Sequence, residues 1–221
     1  MTNKLFQTLS KAMGAFLLPL LCLAGNLLFT SCEETAEVDE YAHWEERNAA
    51  FIQAVAQLAE QNADGKWLKI RSHKLNDTDR EGNPVVWDVD DYIYCHIEKE
   101  GTGTVCPLIS DSVKVNYRGR LMPTDLELED ITKAIAQGII PQGEVFDESY
   151  KGELNPALNI PKDFSVKGVI TGWTTALIHM KEGDLWRVYI PYTLGYEDTD
   201  KGNIPAYSTL IFDINLVDIY Q

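Results

Sequence analysis

The chain alternates between two periods. Around Tyr41 to Asn62, Trp44, Phe51, Val55 and Leu58 recur at helical spacing, with Ala49, Ala50, Ala54, Ala56 and Ala59 adding propensity, and Asp64-Gly65 stops the run. Tyr92 to Lys99 and Val113 to Leu121 alternate apolar with polar residues, as half-buried strands do. Leu128, Ile131, Ala134 and Ile135 return to near-helical spacing within Leu126 to Ile140. The last third is the densest. Thr171 reads as a helix N-cap, Trp173, Leu177 and Met180 follow on one face, and Gly183 is free to take positive φ after the helix. Leu185 to Ile190 reads as a strand closed by Pro191. In Thr209 to Ile219, Leu210, Phe212, Ile214 and Leu216 alternate with Thr209, Asp213 and Asn215, again the mark of a half-buried strand.

Between these elements the pattern is weaker. Trp67, Leu68 and Ile70 suit a strand or the second arm of a helical hairpin. Asn76 to Pro84 is a polar turn region, and Val85 to Trp87 reads as a short edge strand. The pattern thus predicts an α+β fold, with one short helix facing an antiparallel sheet and a helical extension ahead of it.

Composition changes the picture at the N-terminus. The 221 residues are 45% hydrophobic and 24% charged, ordinary for a globular chain, with a formal net charge of −15. Residues 1–31 contain Lys4 and Lys11 and no acid, so the remainder is more acidic still. Such a surface repels nucleic acid and anionic lipid heads. Lys4 and Lys11 precede an apolar run, Ala12 to Phe29, broken by Gly14, Pro19, Gly25 and Asn26; Thr30-Ser31-Cys32 follows. This resembles a bacterial lipoprotein signal, which implies cleavage before Cys32, its lipidation, and a place in the cell envelope on a membrane. A single membrane anchor is the alternative. Residues 32–40 read as an acidic tether.

Cys95 and Cys106 then remain, either bridged or as two free thiols. His43, His73, His96 and His179 are scattered, with no metal-ligand spacing and no Ser or Cys elbow near them. No metal or cofactor is expected.

Several spaced motifs carry a family resemblance. Val169-Ile170-x-Gly172-Trp173-x-x-Ala176-Leu177-x-x-Met180-x-x-Gly183 resembles the signature of FKBP-type peptidyl-prolyl isomerases. So do Ile190-Pro191-x-x-Leu194-x-Tyr196, Ile204-Pro205-x-x-Ser208-Thr209-Leu210-x-Phe212-Asp213-Ile214-x-Leu216, Val113-Lys114-Val115-Asn116-Tyr117-x-Gly119-x-Leu121 and Val145-Phe146-Asp147-x-Ser149. The resemblance implies an isomerase domain over 92–221, preceded by the helical extension at 41–91. It implies a twisted antiparallel sheet wrapped on one short helix, proline-containing polypeptides as substrates, and non-covalent catalysis. Trp173 would be the pocket floor, Tyr117, Phe146 and Phe212 its walls, and Val169 and Ile170 its rim, with the Ile170 N–H donating to substrate. Asp147 would be the carboxylate beside the twisted carbonyl, Tyr196 a phenol donor, and Ile204 the far side.

The chain departs from the family at Arg118 and Glu197, and the family's second pocket Phe falls near Leu158 or Ile160. A segment at about 125–142 replaces a short turn and is expected as an inserted helix or lid beside the cleft. The alternative function is an isomerase-like module that binds peptide without turnover, or a structural lipoprotein with a blocked cleft. The helix at 41–62 either packs on its own domain or dimerises.

Overall fold

The structure, a computed structural model, describes residues 39–221 apart from Asp77. The expected signal segment at 1–31, Cys32 and most of the tether lie outside the described residues. Among the described residues no helix is long and apolar enough to cross a membrane.

Among the described residues seven strands form one sheet: β1 (Trp67–Arg71), β2 (Tyr92–Lys99), β3 (Ser112–Arg120), β4 (Val145–Glu148), β5 (Lys162–Ser165), β6 (Leu185–Ile190) and β7 (Leu210–Tyr220). Their order is β1-β2-β6-β7-β3-β4, every pair antiparallel. β5 pairs with the first half of β3 and β4 with the second half, so both share one edge. Among the described residues three α-helices accompany the sheet: α1 (Trp44–Gln61), α2 (Leu128–Ala136) and α3 (Thr171–Leu177). The α+β class, with one short helix on the sheet and a helix ahead of it, is what forms.

The two faces of the sheet are covered by different helices. Alternation puts Trp186, Val188 and Ile190 on one side of β6 and Arg187 and Tyr189 on the other. α3 lies on the first side, where Trp173 meets Phe212 of β7 at 5.1 Å between ring centroids. α1 lies on the second, where Phe51 meets Tyr189 at 6.4 Å. Glu45 and Glu46 in the first turn of α1 suit the positive end of its dipole. Asn62 ends the helix in the left-handed region, its N–H donating to Leu58 O. Asn48 sits buried on α1 and accepts from the Thr209 N–H at 2.8 Å, which ties the helix to the start of β7.

Several expectations are corrected here. β7 is not half-buried: every residue from Leu210 to Leu216 is buried. Asp213 and Asn215 look solvent-facing in the sequence, but α1 covers the neighbouring part of their face and both side chains are hydrogen-bonded. Residues 41–91 are not purely helical, because β1 adds a strand to the sheet through β2. Val85 to Trp87 forms no strand. Thr78 and Pro84 make an isolated bridge, and Val86 is 94% exposed with no neighbour to pack on. Thr171 is the first helical residue of α3, with Ile170 at the N-cap. Of the two alternatives left open for Cys95 and Cys106, the structure has both free; Cys95 is buried, and burial pushes its thiol up.

α2 forms within Leu126 to Ile140 and buries Ile131 and Ile135. It packs on α1, not over a cleft. Arg47 of α1 fastens the approach to α2 by donating to the carbonyls of Pro123, Thr124 and Leu126 at 3.0, 3.1 and 2.8 Å.

Phe51→Ala removes a fully buried ring from the α1–sheet contact. It is expected to lower unfolding stability by about 3–5 kcal/mol, read from the denaturant midpoint at unchanged m-value.

Candidate active site

The site begins with a glycine. A Cβ at Gly172 would lie 2.4 Å from Ile190 Cγ2, so only glycine lets α3 settle this close to β6. That approach drives Trp173, the next residue, into the sheet, where it is 4% exposed. Thr174 Oγ1 donates to Val166 O at 2.7 Å and fixes the turn ahead of the helix. Around Trp173 the rings of Tyr117, Phe164 and Phe212 stand edge-on at 5.4, 5.4 and 5.1 Å. Edge-to-face pairs of this kind add about 0.5–1.5 kcal/mol each beyond their buried area.

This cluster lines an open cleft of about 280 Å³ with Asp147, Gly168, Val169, Ile170 and Tyr196. Val169 is extended and Ile170 stands at the helix N-terminus, where N–H groups precede the intrahelical ladder. Asp147 lies on β4 opposite Gly119 of β3. The Tyr117 hydroxyl donates to its carboxylate at 2.8 Å. Ser149 holds the two strands at this point: its N–H donates to Tyr117 O, and its Oγ accepts from the Tyr117 N–H, both at 2.9 Å. Burial, and then the Asp147 carboxylate, push the Tyr117 hydroxyl up. Burial and Asp147 push Tyr196 up in the same way. Both phenols therefore stay protonated, Tyr117 donating to the carboxylate and Tyr196 standing near it. Among the described residues no group of His, Cys, Asp and Glu could hold a metal ion.

Seven of the nine site residues read from the sequence line the cleft: Asp147, Tyr196, Tyr117, Val169, Ile170, Trp173 and Phe212. Two do not. Phe146 lies one layer back, edge-on to Phe212 at 5.4 Å. Ile204 is buried in a bridge with Lys201. In this stretch the ring that lines the cleft is Phe164, while Leu158 and Ile160 are 78% and 79% exposed. Its signal was the alternation of Phe164 with Val166 after Pro161. No lining residue comes from 125–142.

The two departures are now placed. Arg118 points to the sheet face away from the cleft. It pairs with Glu148 at 2.7 Å, donates to the carbonyls of Tyr150 and Gly152, and lies over the Tyr150 ring. Glu197 follows Tyr196 with φ of 57°, in the left-handed region. Its carbonyl accepts from Tyr207, which has φ of 60°.

The sequence profile of the FKBP-type peptidyl-prolyl cis-trans isomerases matches residues 104–217, just over half of the chain. The chain is similar to the macrophage infectivity potentiator of Trypanosoma cruzi, at 39% identity over 54% of this chain and 48% of that protein. It is similar to the peptidyl-prolyl cis-trans isomerase Mip of Coxiella burnetii, at 36% identity over 51% of this chain and 39% of that one. A third relative is the FKBP-type 22 kDa peptidyl-prolyl cis-trans isomerase of Escherichia coli, at 34% identity over 54% of this chain and 46% of that one. In each case the match spans about half the length of the relative or less.

Glu197→Gly is expected to raise stability by about 0.5–1 kcal/mol: the left-handed strain is released, less the entropy glycine adds to the unfolded chain. The melting temperature would rise without any change at Trp173.

Proposed function

The chain belongs to the FKBP-type peptidyl-prolyl cis-trans isomerase family, and on that premise we propose that it catalyses cis-trans isomerisation of proline-containing polypeptides. The carrying observation is the aromatic cup around Trp173, with one carboxylate, Asp147, held at its edge by Tyr117 at 2.8 Å. The reaction needs no nucleophile. Its barrier is rotation about a C–N bond with partial double-bond character, about 18–20 kcal/mol. Twisting removes the resonance and changes the charge on carbonyl and nitrogen. A site that binds the twisted form better than the planar one lowers the barrier.

Each residue then takes a part. Trp173, Phe212, Phe164 and Tyr117 receive the proline ring on apolar surface. Water is kept from the amide, whose planar form it would favour. Val169 and Ile170 form the rim, and the Ile170 N–H donates to a substrate carbonyl. Asp147 stands beside the twisting carbonyl as a fixed electrostatic partner. Tyr196 donates to the bound peptide. Phe146 supports Phe212 from behind.

The same reading covers the N-terminus. Residues 1–31 would be a lipoprotein signal and Cys32 the lipidated residue, with 32–40 a tether. The enzyme would then work in the cell envelope, on a membrane, assisting exported proteins. Residues 125–142 would be an insertion that widens the contact with α1 and leaves the cleft open.

The rate of cis-to-trans exchange in an Ala-Xaa-Pro-Phe peptide, followed by NMR exchange spectroscopy, tests the activity. Acceleration by the protein is expected; a folded protein that leaves the rate unchanged is a binding module instead. Asp147→Ala should lower kcat/KM about tenfold, the loss of roughly 1.4 kcal/mol in the transition state, with little change in stability. Trp173→Ala should damage both binding and stability. For the anchor, a palmitate analogue fed to expressing cells should label the wild type and not Cys32→Ser; equal labelling removes that assignment.

A further inference from the structure

The rim of the cleft is a short segment that its own side chains hold at one point only. Val166 is buried, Lys167 and Gly168 are exposed, and Val169 and Ile170 are half-buried. Three of these residues, Gly168, Val169 and Ile170, line the cleft. The Ile170 N–H stands ahead of the first turn of α3 and meets no acceptor among the described residues, so it is open to a ligand. Such a donor works only when it is aimed. A misplacement of about 1 Å can lower a rate about a hundredfold.

Thr174, one position past the floor residue Trp173, bonds both ends of this segment. Its N–H donates to Ile170 O at 3.1 Å, and its hydroxyl donates to Val166 O at 2.7 Å. The first bond is an ordinary rung of α3. The second is not. A threonine inside a helix commonly turns its hydroxyl back on the carbonyl four residues earlier. Thr175 does so to Thr171 O at 2.8 Å, and Thr132 of α2 to Leu128 O at 3.0 Å. Thr174 instead leaves its helix and reaches eight residues back.

That bond is sheltered, because Thr174 is 3% exposed and water does not compete for it. Its far end is also fixed. The Val166 side chain is fully buried, and the Val166 N–H donates to Asp111 O at 3.0 Å. The exposed middle of the rim is therefore strung between two anchored points, both tied to one residue of the helix. Thr174 itself is not part of the cleft lining.

We propose that Thr174 is a positioning residue of the isomerase: its hydroxyl holds the rim so that the Ile170 N–H is aimed at a substrate carbonyl before the peptide arrives. This rests on the proposed function. The Ile170 bond goes to a carbonyl other than the twisting one, so planar and twisted forms of the substrate use it alike. Losing the aim weakens the binding of both. The loss then falls on KM and leaves kcat in place. A loosened rim also has to be ordered by the peptide, which again weakens binding.

The test compares Thr174→Val, which keeps the shape and removes the donor, with Thr174→Ser, which restores the donor. The cis-trans exchange rate of the proline peptide is measured over a concentration series and referred to folded protein. Thr174→Val should raise KM about tenfold with kcat within about twofold of wild type, and Thr174→Ser should bring KM back to within about threefold. A hydroxyl that only stabilises the fold would lower the melting temperature and change neither constant. An unchanged KM in folded Thr174→Val, or a Thr174→Ser as impaired as Thr174→Val, would overturn the proposal. A second measurement needs no variant. In ¹⁵N-labelled full-length wild type, the Val169 and Ile170 amides should have order parameters of about 0.85 both with and without peptide. Values below about 0.6 in the free protein that rise on binding would equally overturn it. A folded wild type that leaves the exchange rate unchanged removes the proposed function and this inference together; an active wild type with either contrary result removes this inference alone.

Discussion

Strand β7 has no face left for water over its first seven residues, and the rest of the structure answers to that constraint. One of its sides offers Phe212 and Ile214 to α3; the other carries Ile211, Asp213 and Asn215. A buried carboxylate without partners costs several kcal/mol. Asp213 is therefore tolerable only because β3 and β6, its two neighbours, each send an arginine to the same side: Arg120 at 2.9 Å and Arg187 at 2.7 Å. Asn215 is met by Asn116 of β3 and by the Asp184 carbonyl. A slip of one residue in register would turn Asp213 onto the aromatic side, so these pairs specify the strand alignment as well as neutralise the charge.

The cleft inherits its order from that alignment. With β3, β7 and β6 in register, Tyr117 and Phe212 stand where Trp173 can meet both, and Gly119 leaves the space that the Phe146 and Phe212 rings fill. The cup is built mainly from strands and one helix. Its rim at Gly168, Val169 and Ile170, and Tyr196 beyond it, belong to connecting segments. A cup formed before substrate arrives suits a reaction in which the protein must favour a twisted amide and supplies no covalent chemistry. The other side of the same strands holds α1, so both faces draw on one set of buried strands.

Much of this was legible in the sequence, and the gaps have physical causes. Tyr92 to Lys99 emerged with the bounds seen, and Val113 to Leu121 within one residue, because long alternation leaves one reading. Seven cleft residues were legible because they sit in motifs with fixed spacing. Phe164 was not, because β5 is four residues long and follows a loop whose exposed Leu158 and Ile160 imitate a strand's apolar positions. β7 looked half-buried because a strand's own pattern cannot show that its charged side is met by arginines from two distant segments. The helix at 128–136 was legible as a helix, but its period says which face is apolar and not what that face meets. For the same reason the sequence marks Arg118 as a departure without showing that its strand points it away from the cleft.

Native-state hydrogen exchange on the amides of Ile211 to Leu216, in the wild type and in Phe51→Ala, tests most directly whether β7 unites the two faces. The account predicts that these amides exchange only through global unfolding. Their protection should then fall by the same free energy as the whole protein's stability, although Phe51 lies on α1. If α1 amides lost protection in Phe51→Ala while those of β7 kept theirs, the helix would be an appendage, and the shared-strand account would be contradicted.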